Sequence, residues 1–381
     1  MNHFDRRHFL LTATGTALTL ASSSRAIAGT AGNAEDTVQD AQPNWHSVED
    51  WGVEGKAFND TEKFYDRLPA RAIDTVRKPV WDLSRHAAGM MVRFNTDSSK
   101  IQVRYKLANA SLAMPHMPAS GVSGVDLYSK DDEDNWRWAA MIKPQTQEVN
   151  TNLLTNIQPK RDGSPREYQM YLPLYNGLTD LEIGLDAKSK FAGVQPRVEK
   201  PVLFYGTSIM HGACASRTGM AIPAILGRRL NRPTINLGFS GNGKMEKEVG
   251  EFLCELDPAV YVIDCLPNMN GPMVTERCEP LVEQLRAARP DTPILLVEDR
   301  VNTSAWIRKN AAQHHATNRK ALKSAYDRLV ASGQKQIYYL GHEHLLGTDG
   351  EGATDGSHPN DMGMVRYADA YEPVLKRILS H

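Results

Sequence analysis

A surplus of charge of either sign is missing from this 381-residue chain: Lys plus Arg number 44 and Asp plus Glu 45, for a net charge of -1. That balance supplies no field that would draw nucleic acid or an anionic membrane surface, so neither is expected as a partner. Beyond the first thirty residues no apolar run is long enough to span a bilayer, which excludes a membrane span once the N-terminus is removed. Cysteine is scarce. Cys214, Cys254, Cys265 and Cys278 match no zinc spacing. Three complete pairings are open to them, but free buried thiols are favoured over a disulfide, and Cys265 suits a small hydrophobe ending an apolar run. Aromatics at 7% and hydrophobics at 41% are ordinary for a globular protein.

The N-terminus carries an address. Arg6 and Arg7 precede a short, weakly apolar, Thr- and Ala-rich segment that ends in Ala26-Ile27-Ala28. Paired arginines, an apolar stretch and an A-x-A site in that order predict a twin-arginine signal peptide over 1–28, and hence a periplasmic or secreted protein. Residues 29–44 read as a polar linker.

Two halves follow with different periods. From about Pro79 to Ala192 apolar residues alternate with polar ones, as in Ile101, Val103, Tyr105 or Leu181, Ile183, Leu185, broken by clusters such as Asp162-Gly163-Ser164-Pro165. This predicts half-buried antiparallel strands in a β-sandwich domain over 45–198. From Pro201 short apolar runs at 202–205, 234–237, 260–265, 294–297 and 337–340 alternate with helix-period segments. That pattern predicts an α/β domain over 199–381, a three-layer, doubly wound, five-stranded parallel sheet.

In such sheets ligands bind beyond the carboxyl ends of the strands. The first strand runs into Gly206-Thr207-Ser208, the second into Gly238-Phe239-Ser240-Gly241, and the third into Leu266-Pro267-Asn268; Asp355-Gly356-Ser357-His358 comes after the fifth. A serine hydroxyl becomes a nucleophile when a histidine takes its proton, and the histidine needs an orienting carboxylate. Ser208, His358 and Asp355 are the candidates. The tetrahedral intermediate calls for preorganised donors, which the amides of Ser208 and Gly241 and the side chain of Asn268 could supply. No metal or other cofactor enters this scheme.

On these residues the chain resembles the SGNH (GDSL-like) hydrolases. Ser208 matches the family's serine, Gly241 its glycine, Asn268 its asparagine, and Asp355 with His358 its closing D-x-x-H. Gly124-Val125-Asp126-Leu127-Tyr128 matches the GxDLY motif of a companion N-terminal β-domain. The resemblance spans about 45 to 380 and implies a flavodoxin-like SGNH domain and a serine esterase acting on small acyl esters, acetyl esters of carbohydrates first among them. Thr207 stands where the family has Asp, and Leu266-Pro267-Asn268-Met269 departs from G-x-N-D.

Rival functions remain open at this level: a sugar O-acyltransferase on the same fold, a carbohydrate-binding protein with a vestigial esterase domain, and, more weakly, a lipase, although no long apolar lid is evident. The partner expected is a small-molecule or glycan acyl ester. His342 and His344 read as loop histidines, His211 as either a substrate contact or a structural residue. Residues 114–118 read as a packed connection between strands, with reach across to the active site as the alternative, and Asp126 as a backbone-bonding residue.

Overall fold

The computed structural model describes residues 42–380. The predicted signal peptide and all but the last three residues of the predicted linker lie outside the described residues. Among those described, no helix is long and apolar enough to cross a membrane.

The first half is two antiparallel sheets face to face. One has the order β1-β8-β3-β6, from strands β1 (Asn44–Ser47), β3 (Ile101–Leu107), β6 (Glu148–Leu154) and β8 (Leu178–Leu185). The other has the order β5-β4-β7-β2-β9, from β2 (Met91–Thr96), β4 (Asp126–Lys130), β5 (Trp136–Met141), β7 (Arg166–Tyr171) and β9 (Phe191–Gly193). The period of two explains the core. Ile101, Val103, Tyr105 and Leu107 point inward with Leu181, Ile183 and Leu185, and meet Val92, Phe94, Leu127 and Met170 of the facing sheet. Alternation fails where both faces are covered. Gly184 is buried because Trp45 lies over it, and Gln169 and Tyr171 are buried because the outer face of β7 packs toward the second half.

The expectation of strand from Pro79 onward is corrected at its start: Lys78–Ser84 form helix α1. Val80 and Trp81 on α1, with Phe58, Leu68, Ala72 and Val76, join the core of the parallel sheet instead of the sandwich. A second short helix, α2 (Ala119–Val122), precedes β4.

The second half is a five-stranded parallel sheet in the order β11-β10-β12-β13-β14: β10 (Val202–Gly206), β11 (Thr234–Gly238), β12 (Val260–Asp264), β13 (Ile294–Val297) and β14 (Ile337–Leu340). Its central strands are apolar on both faces for a visible reason. Leu203, Tyr205, Tyr261 and Ile263 enter the core formed with α5 (Lys247–Glu255), α6 (Gly271–Ala288) and α7 (Lys309–Ala331). Val202, Phe204, Val260 and Val262 enter the opposite core, formed with α4 (Ile222–Leu230) and α8 (Asp361–Leu379). Gly206 is in register with Gly238 and Asp264, so three strand ends lie level, and β10, at the topological switch, continues directly into α3 (Ser208–His211).

Candidate functional site

The turn after β10 is shaped by close backbone approach. Thr207 caps α3, its hydroxyl accepting from the Ile209 amide at 3.3 Å, and Gly212 ends it in the left-handed region. The Phe239 amide donates to Gly206 O at 2.9 Å, and Gly243 lies against the same carbonyl so tightly that a side chain would collide with it. Ser208 is thereby held at the sheet rim, 6% exposed.

Ser208 Oγ lies 2.8 Å from His358 Nε2, although 150 residues separate them. On the other side of the ring, His358 Nδ1 lies 2.7 Å from Asp355 Oδ2. Asp355 Oδ1 accepts from the backbone amides of Ser357 and His358 at 2.9 and 2.8 Å, which fixes the carboxylate. Burial works to raise its pKa, but the bonds from the His358 ring and these two amides outweigh it and hold Asp355 at about 2. A carboxylate ionised at neutral pH orients the imidazole by Nδ1 and leaves Nε2 to face the serine.

The three candidate oxyanion donors sit on the neighbouring loops. Asn268 Oδ1 accepts from the Gly243 amide at 3.3 Å, which leaves its Nδ2 free to donate. Gly241 has φ +68°, and a Cβ there would meet nothing within 4 Å. Neither the Ser208 nor the Gly241 amide donates to another group among the described residues. Both departures from the family pattern are structural in effect. Thr207 is the α3 cap, and Met269, 3% exposed, joins the core.

Several residues that hold the site were not singled out from sequence. The loop leaving β13, Glu298-Asp299-Arg300, is one group. Arg300 Nε donates to Ser357 O at 3.2 Å, its Nη2 bonds Ser357 Oγ, and its Nη1 pairs with Asp299. Asp299 also takes His315 Nδ1 at 2.6 Å, and burial notwithstanding, His315 and Arg300 keep its pKa below the usual range. A charged triplet directly after an apolar strand was the available signal. At the end of β12, Asp264 is fully buried and accepts from Tyr371 Oη at 2.5 Å. Burial pushes it up to about 7, with Tyr371 opposing and Asp299 adding to the rise. Arg67 is the third. From 1% exposure it donates to the carbonyls of Leu83, His86, Asn236 and Gly238, anchoring the end of β11 from which the Gly241 loop departs.

The remaining sequence candidates sort as follows. His211 is buried, donates Nε2 to Leu174 O at 2.6 Å and stacks on Tyr175, a structural role; burial, then Arg67, drives its pKa well below that of a free histidine. The 114–118 loop does more than connect strands: Met117 is buried in the core, while the His116 ring stacks near His358 at 6.1 Å between centroids. Both readings of that loop therefore hold, packing through Met117 and reach toward the site through His116. Asp126 bonds the Gly219 amide at 2.9 Å as expected, and also Arg217 and Trp138 at 2.7 and 2.8 Å. Arg217 further donates to Tyr128 Oη, so the 124–128 segment ties the two halves together.

All four cysteines are free. Cys214, Cys265 and Cys278 are buried, and Cys254 is half-buried. Cys214 lies with Asp355 and His358, their ligand-type atoms within 4.8 Å of one another. Burial raises its thiol to about 11, Thr354 opposing and the Asp355 charge adding. His342 groups with Glu298 and Glu343, not with the exposed His344. Glu298 already accepts from Tyr339, the His342 amide and the His342 ring.

Residues 199–376 match the GDSL-like Lipase/Acylhydrolase family, and residues 43–191 match the N-terminus of SGNH-hydrolase-type esterases. No curated protein matches the sequence. Among solved structures, one described as a GDSL-like lipase from Bacteroides ovatus is 31% identical with a TM-score of 0.83, over 88% of this chain and 98% of its own. The salicylyl-acyltransferase SsfX3 from a tetracycline biosynthetic pathway superposes at TM-score 0.69 and 17% identity, over 88% and 97%. An acetyl xylan esterase, Est2A, from the rumen bacterium Butyrivibrio proteoclasticus gives 0.54 and 9%, over 89% and 99%. The last two share the fold alone.

Proposed function

The chain belongs to the GDSL-like Lipase/Acylhydrolase family and is a carboxylic ester hydrolase; from that premise we propose that it removes small acyl groups, acetyl above all, from carbohydrate hydroxyls through an acyl-serine intermediate. The observation that carries the reading is the relay from Ser208 Oγ to His358 Nε2 and from His358 Nδ1 to Asp355, at 2.8 and 2.7 Å. As His358 takes the hydroxyl proton, Ser208 Oγ bonds the ester carbon and the carbonyl electrons move onto its oxygen. The Ser208 and Gly241 amides and Asn268 Nδ2 stabilise that oxyanion. Collapse breaks the bond to the sugar oxygen, which leaves with the proton from His358. Water then attacks the acyl-enzyme, giving its proton to His358, and the carboxylic acid departs as Ser208 is restored. Asp355 keeps the ring in the required tautomer and stabilises its charged form.

The carbohydrate alcohol is supported by the fold shared with carbohydrate esterases. Arg6-Arg7 and Ala26-Ile27-Ala28 support export and action in the periplasm or outside the cell. The test is hydrolysis of p-nitrophenyl acetate, followed by acetate release from acetylated sugars. Ser208→Ala is expected to lower kcat by at least about 10³-fold. A fall smaller than about tenfold would remove Ser208 as nucleophile.

A further inference from the structure

We propose that the cleft beneath the loop bearing Trp306 is the subsite that holds the neutral sugar part of the ester substrate, with the Trp306 indole as its stacking platform. The inference rests on the esterase reading above and names where the alcohol part lies.

Trp306 is 84% exposed and Ile307 65%. Large apolar side chains that stand out together on an ordered segment mark a contact surface. This segment is ordered: the Asn302 side chain accepts from the Ser304 amide and hydroxyl at 3.1 and 2.8 Å, the Ala305 amide donates to Asn302 O at 2.8 Å, and Ala305 is buried. The indole is therefore presented by a fixed turn.

The turn is joined to the catalytic loop. The Thr303 amide donates to Gly356 O at 2.9 Å, two residues from His358, and Arg300 at the base of the turn grips Ser357. Beneath Trp306 lies a cleft of about 590 Å³, within the range of small-molecule sites. The 346–350 segment also lines it, where Leu346 is buried and Asp349 is held by two 2.7 Å bonds from Arg366.

The lining suits a sugar. The hydroxyls of Thr303 and Thr348 have no partner among the described residues, and His342 has its Nδ1 held by Glu298, so Nε2 is free. Glu343, lining the same cleft, offers an exposed carboxylate. Donors and acceptors intermixed beside one aromatic face match a pyranose, whose apolar face stacks and whose hydroxyls both give and accept. The Glu343 charge disfavours phosphate headgroups and anionic sugars.

The proposal is tested with wild type and Trp306→Ala, each assayed on p-nitrophenyl acetate and on O-acetylated xylo-oligosaccharides. The ratio of kcat/KM for the oligosaccharides to that for p-nitrophenyl acetate is expected to fall at least about tenfold in the variant, through KM, and Trp306→Phe is expected to recover most of it. An unchanged ratio overturns the subsite and leaves the esterase intact. So does wild-type enzyme that cleaves p-nitrophenyl acetate but frees no acetate from the oligosaccharides. A selective loss on emulsified tributyrin, with the sugar ratio retained, overturns it in favour of a lipid-facing loop. Failure of wild type on p-nitrophenyl acetate sinks the esterase reading itself.

Discussion

Replacing Arg300 by Met should damage catalysis without touching any group that contacts the reacting ester. The guanidinium is 5% exposed and its Asp299 partner 1%. Removing one member of a buried pair costs about 3–5 kcal/mol, because the other charge stays buried. Asp299 keeps His315 at 2.6 Å, which places the cost near the lower end, about 3 kcal/mol. For a chain of this size that corresponds to a Tm lower by roughly 5 °C. The catalytic effect follows from Ser357, whose carbonyl and hydroxyl both lose their anchor one residue before His358. The 2.8 Å contact from Ser208 Oγ to His358 Nε2 sits within the window of about 2.6–3.2 Å that proton transfer needs, and a misplacement of about 1 Å costs about 10² in rate. The expected result is kcat on p-nitrophenyl acetate about 10²-fold lower with KM little changed, and partial recovery in Arg300→Lys, which keeps the charge but not the fork. Thermal unfolding and steady-state kinetics read both effects. If Arg300→Met keeps kcat within about threefold, Arg300 does not position His358.

Three further outcomes are expected. Asp264, held at about 7 when folded and near 3.9 when unfolded, binds more protons in the folded state between those values. Its contribution to stability is therefore full below about pH 4 and is lost as pH rises through about 7, on the order of 4 kcal/mol in all. Asp264→Asn removes that decline, so the stability of the variant minus that of wild type should rise from pH 5 to pH 8; a difference independent of pH would show that Asp264 does not titrate there. Asn268→Ala is expected to reduce kcat about 10²–10³-fold, and undiminished turnover would exclude its amide from the oxyanion site. Gly241→Ala meets no protein atom but must hold φ +68°, so a stability loss of about 1 kcal/mol in denaturant unfolding should accompany a larger loss of activity as the added Cβ intrudes on the ester; equal activity would mean that no substrate atom occupies the position of that Cβ.

The sheet and its helices were legible because burial imposes a period that the chain must repeat. Ile225 and Leu226, or Val249, Phe252 and Leu253, recur at the helix spacing because α4 and α5 each bury one side. Ser208, Gly241, Asn268, Asp355 and His358 could be found because ligand sites in parallel sheets gather at strand ends. The segment before β2 was harder. Its apolar residues divide between two cores: Val48, Trp51, Val53 and Tyr65 join the sandwich, while Phe58, Leu68, Ala72, Val76, Val80 and Trp81 serve a core built mainly from residues over a hundred positions later, so no local period marks them.

The chain's local chemistry, then, determined the two kinds of sheet and marked the candidate reactive groups, since both show in the pattern of residue types along short stretches of chain. Only the tertiary structure decided that Ser208 and His358 meet at 2.8 Å, that Arg300 grips the loop beside them, that His116 reaches in from the other half, and that Trp306 stands in solvent above a cleft. Those are distances between residues remote in sequence. They are set by how whole layers pack, and no local pattern of residue types encodes them.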